Sequence, residues 1–167
     1  MFFLCLDYYL HMINISEEKA AELIRACQQE AEVAITEGNV PIACIITDSD
    51  GNILVTAHNT QNTDNDPTAH AEINALRKLG MLKQTRYLDG SVVFSNAATC
   101  SMCMSACIKA HIYDFYFGAE AEATMDPWIS MKDVAAKSKN PVQIHGPILG
   151  QESAAQIARG RQLLAEK

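Results

Sequence analysis

His70 and Glu72 stand two positions apart in "DPTAHAEINALRKLG", residues 66 to 80, and Cys100 and Cys103 stand three apart in "SVVFSNAATCSMCMSACIKAHIYDFYFG", residues 91 to 118. Alone, a histidine and a glutamate within one helical turn are an ordinary surface pair. The two cysteines change that, because one imidazole and two thiolates form a zinc donor set. Cysteines three apart at the first turn of a helix project from one face and reach the same ion. The unpaired N–H groups and the positive dipole end of that helix start also favour the thiolate, the form that binds metal.

Three protein donors leave a tetrahedral site open. Cys107 is the nearest candidate for a fourth, but it sits about 10 Å along the helix axis from Cys100, too far to join one tetrahedron. An open fourth position takes water and lowers its pKa toward about 7. Glu72, two residues past the histidine, can take a proton from that water and pass protons on to a substrate. The expected centre is therefore one Zn2+ per chain on His70, Cys100 and Cys103, with Glu72 as the catalytic acid and base. Two other classes share part of the pattern. A strand, Cys-x-x-Cys and helix is also a thiol oxidoreductase arrangement, which leaves His70 and Glu72 without a task. A zinc protein without turnover is the third class.

The elements that carry these residues alternate. Ser16, Glu17 and Glu18 open a helix with apolar positions Leu23, Ile24, Cys27, Ala31 and Ala34, and Gly38 closes it. "VPIACIITDSDGNILVTAH" reads as a hairpin, with a buried strand at 40–47, a Ser-Asp-Gly-Asn turn and a return strand at 52–58. Asp66, Pro67 and Thr68 place the next helix start near Ala69. A strand at 91–95, the cysteine-bearing helix, an aromatic strand near 112–118, a helix at 129–137, an extended stretch at 142–145 and a final helix from about 151 to 165 follow. With no repeat, low-complexity segment or interior linker, the alternation predicts an α/β fold.

A chain of 167 residues, 49% apolar and 20% charged, has the composition of one globular domain. The expected division is a single domain over 1–167, with an extension at 1–14, a core at about 17–150 and a C-terminal helix at 151–167. The opening "MFFLCLDYYLHMI" is apolar but lacks a basic segment, contains Asp7 and is too short to cross a bilayer, so a cytoplasmic protein with no membrane partner is expected. Met12 precedes the first helix signal and is a second candidate start. Six cysteines without a secretory signal suit reduced thiols, and Cys5, Cys27, Cys44 and Cys107 read as small core residues. A formal charge of −7 disfavours nucleic acid as a partner while leaving room for a local basic patch.

His-x-Glu followed by Pro-Cys-x-x-Cys is the known signature of zinc nucleobase deaminases. The chain resembles the cytidine deaminase-like superfamily, and within it the guanine deaminase and tRNA adenosine deaminase branch. "NVPIACII", "HNTQNTDNDPTAHAEINALR" and "CSMCMSACIKAHIYDFYFG" carry the resemblance, which spans about 17 to 150. It implies a three-layer α/β/α sandwich around a mixed five-stranded sheet, and a homodimer. It also implies zinc ligation by His70, Cys100 and Cys103, proton transfer by Glu72, and substrate contact by Asn59 and Ala71. "EAEATMDPWISMKDV" resembles the substrate-facing segment of guanine deaminases, with Asp126 able to bond an amidine edge and Trp128 able either to stack on a ring or to pack in the core. The chain departs from the branch at Ala98 and Thr99, which replace Glu-Pro before Cys100; Thr99 is expected to cap the helix instead. His111 replaces a basic or small residue and reads equally as a helix-end histidine. The expected substrate is a free amino-purine or related small amino-heterocycle, with tRNA adenosine as the alternative.

Overall fold

The computed structural model describes residue 13, residues 15–121 and residues 128–166. Helix α1 (Glu17–Glu37) begins where the Ser16 hydroxyl accepts the Lys19 N–H at 3.2 Å, and ends at Gly38, whose φ of 86° is a left-handed conformation. Strands β1 (Ala43–Thr47) and β2 (Ile53–His58) form the expected hairpin. Its turn closes on the Asp48 carboxylate, which accepts the N–H groups of Asp50 and Asn52. The first strand starts at Ala43 rather than at residue 40. The Asn96 amide takes the Ala43 N–H at 2.9 Å and gives a hydrogen bond to Pro41 O at 3.0 Å, so a side chain holds the segment that a strand partner would have held.

A short helix, α2 (Gln61–Asp64), follows the hairpin and was not expected. Asn39 makes it: its Oδ1 accepts the N–H groups of Asn62 and Thr63, both at 3.1 Å. A cap supplied from so far back in the chain leaves no local signature. Then come α3 (Ala71–Lys83), β3 (Val92–Ala97), α4 (Ser101–Lys109), β4 (Asp114–Ala119), α5 (Met131–Lys137), β5 (Gln143–His145) and α6 (Gly150–Ala165). Helix α5 starts two residues later than expected because Ser130 and Asp133 close a capping box there.

The sheet order is β2-β1-β3-β4-β5, antiparallel from β2 to β3 and parallel from β3 to β5. Helices α1 and α6 pack on one face, and α3, α4 and α5 on the other, which is the mixed three-layer sandwich expected. The inner strands are buried on both sides. Ile45, Val92, Phe94 and Tyr116 meet α1, while Cys44, Ile46, Val93, Phe115 and Phe117 meet Ala71, Ala75, Met104 and Cys107 on the opposite face. Cys27, Cys44 and Cys107 are free and fully buried, as expected, whereas Cys5 and Met12 lie outside the described residues. No helix among the described residues is long and apolar enough to cross a membrane.

Candidate active site

The loop into α3 closes on Asp66, whose Oδ1 accepts both the Thr68 N–H and the Thr68 hydroxyl at 2.7 Å. Asp66 thereby caps its own turn and not the helix, and α3 begins two residues later than the expected Ala69. His70 becomes the N-cap, extended at φ −70° and ψ 155°. Ala71, the first helical residue, is buried, and Glu72 falls in the first turn at 3% exposure.

The start of α4 repeats this construction. Cys100 is its N-cap, at φ −69° and ψ 165°, so Thr99 is displaced from the expected capping role and is instead buried. Ala98 N–H donates to Ala119 O at 2.8 Å, which keeps the chain paired with β4 up to the donor residues. Cys100 and Cys103 then share one side of the first turn. Both helices therefore present a donor from an extended residue at their N-terminus.

His70, Cys100 and Cys103 come together: their donor atoms lie within 4.8 Å of one another. His70 Nδ1 is 3.6 Å from Cys100 Sγ. Two ligands of one tetrahedral zinc, at 2.3 Å for sulfur and about 2.05 Å for nitrogen, stand about 3.6 Å apart, so the pair has the edge that zinc requires. The donor chemistry agrees. The hydrogen bond from the Cys103 thiol, with help from His70, holds Cys100 below the usual thiol range and so favours the thiolate. Cys103, as the donor of that pair, is pushed up and keeps its proton, which a bound metal must displace. The sulfur of Cys100 pushes His70 up. Cys107, buried one and two turns further along, is not part of the group.

Burial and the nearby Cys100 sulfur push Glu72 above the usual carboxylate range, opposed by its own backbone N–H and by His70. The carboxyl is thus close to the donor group and shielded from bulk water.

Asn59 is 2% exposed, at the end of β2. Thr60 N–H donates to Ala69 O at 2.9 Å, so this segment lies against the residue that precedes His70. Trp128 is 48% exposed, which removes core packing as its role. Asp126 lies outside the described residues. His111 stands past the end of α4 at φ 66°, stacked on Tyr87 at 4.4 Å and paired with Asp89. Two polar residues beside the site were not singled out from the sequence. Asn74, one turn after His70, donates to His58 O and Thr60 Oγ1, and Gln61 bonds Asn59; a polar side chain on an inward helix position was the available signal.

The pattern of the cytidine and deoxycytidylate deaminase zinc-binding region matches residues 17–119, which include both donor-bearing helix starts. The chain belongs to that family. A tRNA-specific adenosine deaminase of Aquifex aeolicus is 33% identical over 96 residues, 58% of this chain and 63% of that protein. A guanine deaminase of Bacillus subtilis is 33% identical over 98 residues, 56% of this chain and 62% of that protein. The matched stretch thus spans just under two thirds of either relative. A guanine deaminase structure from Nitrosomonas europaea superimposes with a TM-score of 0.70 at 19% identity, covering 85% of this chain and 82% of that one, a likeness of fold.

Proposed function

We propose that this family member is a zinc-dependent hydrolytic deaminase that releases ammonia from a free amino-purine or related amino-heterocycle, with one zinc per chain. The observation that carries the reading is the buried carboxyl of Glu72, held in the first turn after His70 and near enough to the Cys100 sulfur to be pushed up by it, beside the His70, Cys100 and Cys103 group. Zinc bound there supplies Lewis-acid activation of a water molecule. Glu72 accepts the proton of that water as its oxygen bonds to the amine-bearing ring carbon, and delivers it to the adjacent ring nitrogen. Glu72 then takes the proton of the hydroxyl now on that carbon and delivers it to the amine, so the C=O bond forms as the C–N bond breaks and ammonia leaves. The burial that raises the Glu72 pKa suits a group that must both take and return protons. Asn59 and Ala71 hold the heterocycle, the latter with an N–H that has no acceptor within its own helix, and Asp126 and Trp128 address its edge and face. The exposed side of α4, with Met102 and Ser105, is the surface for a second copy in a homodimer, and free thiols suit the reducing cytoplasm.

One observation favours tRNA adenosine as a second reading. From Ile73 to His111 the chain carries Arg77, Lys78, Lys83, Arg86 and Lys109 against Asp89 alone, so the acidic excess lies elsewhere. An ammonia-release assay over guanine, adenine, cytosine, pterins, aminotriazines, their nucleosides and tRNA decides between the two. Turnover of a free base is the expected result. Deamination of tRNA without any free base would replace it with the second reading.

A further inference from the structure

An asparagine amide has two N–H donors and an oxygen with two lone pairs on a nearly symmetric frame, so what it recognises depends on which end faces which way. In Asn59 both ends are held by one residue. Gln61 N–H donates to Asn59 Oδ1 at 3.0 Å, and Asn59 Nδ2 donates to Gln61 Oε1 at 2.7 Å. Gln61 is itself a symmetric amide, but its Nε2 donates to Pro67 O at 3.0 Å, and a backbone carbonyl accepts only from the nitrogen end. The order of donors and acceptors is therefore transmitted from the Pro67 carbonyl, through the Gln61 amide, to the Asn59 amide. Asn59 is left with one N–H and one lone pair in a fixed order.

The backbone around Asn59 does not depend on this relay. Its own N–H donates to Ile42 O, Thr60 N–H donates to Ala69 O, and Asn74 Nδ2 reaches His58 O and Thr60 Oγ1. Without the Gln61 side chain, Asn59 stays in place, and a single hydrogen bond, from the residue 61 N–H, opposes the flipped amide instead of two.

We propose that Gln61 is a positioning residue that fixes the donor and acceptor order Asn59 offers to the substrate, and so selects between oxo- and amino-substituted rings. This rests on the reading that Asn59 contacts the heterocycle. Guanine and 2,6-diaminopurine, which share the 2-amino group and differ at position 6 and in the adjacent ring proton, are the probes. In the zinc-loaded protein, Gln61→Met removes the acceptor and the donor while keeping the side-chain length. It is expected to move the ratio of kcat/KM for the two bases about tenfold toward unity, through KM, with zinc content and Tm unchanged. Gln61→Glu keeps an acceptor facing Asn59 Nδ2 and should restore the ratio, which a purely structural role would not do. An unchanged ratio in Gln61→Met, while Asn59→Ala loses turnover, overturns the role of Gln61 alone. An Asn59→Ala variant with normal turnover, or an unchanged chain that neither turns over nor binds either base by calorimetry, overturns the underlying reading and this inference with it.

Discussion

The Cys100 sulfur and Nδ1 of His70 meet at 3.6 Å although thirty residues separate them, because each caps the start of its own helix in the same extended conformation. A donor on a helix N-cap is fixed by backbone geometry, and only Cys103 lies within a helix. The three-donor group is thus assembled by the packing of α3 and α4 over the sheet.

Metal content is the direct check on that assembly. Atomic emission of the purified protein should give about one zinc per chain, and Cys100→Ser or Cys103→Ser should abolish it, since a site with three protein ligands has none to spare. Cys107→Ser should keep its zinc, because its thiol is not among the grouped donors. Folded, active protein without metal would remove the zinc reading.

Glu72→Gln keeps shape and hydrogen bonding but removes the base. Zinc content and the circular dichroism spectrum should persist while kcat falls by about 10² to 10⁴, the usual contribution of general acid and base catalysis. A rate near that of the unchanged chain would mean that another group moves the protons.

Asn96 tests how the fold supports the site. Its fully buried amide serves both the Ala43 N–H and the Pro41 carbonyl, so Asn96→Ala strands two backbone groups away from water. Urea unfolding should show a loss of about 2 to 4 kcal/mol at one or two kcal/mol per stranded group.

This residue also marks where the sequence stopped being legible. The strands, the two donor-bearing helices and the His70, Glu72, Cys100, Cys103 constellation were readable because periodicity, Gly38 and Cys-x-x-Cys spacing are local signals. Asn39 and Asn96 act across the fold: one caps the start of α2 and the other stands in for a strand partner before β1, and neither has a neighbour in sequence that announces it. The start of α3 shifted for the opposite reason. Asp66 carried a correct turn signal, but its carboxylate closes the turn at Thr68 and leaves the cap to His70.

Asp114, at the start of β4, is pushed up to about 6 by burial. Its folded value lies above the ordinary carboxylate value of about 3.9, so the folded protein holds the proton more tightly than the unfolded chain does. The stabilising contribution is therefore complete below about pH 4 and is lost as pH rises through about 6. Asp114→Asn should raise Tm at neutral pH and give no advantage near pH 4, as thermal melts across that range would record. An equal gain at both ends would show that the carboxyl's ionisation is not what costs stability.

Salt dependence separates the two substrate readings at the level of charge. A free base carries no phosphate, so its turnover should change by less than about twofold between 50 and 200 mM salt, whereas an RNA held through several phosphates loses affinity by orders of magnitude over that interval. Arg86 and Lys109, which line a surface pocket of about 470 Å³ with Tyr87, are the cations that such an RNA would use on the α4 side. The double variant Arg86→Glu and Lys109→Glu should leave base deamination unchanged at every salt concentration. A steep fall of tRNA deamination in that variant, matched by a steep salt slope of the same activity in the unchanged chain, would move the substrate from the free base to RNA.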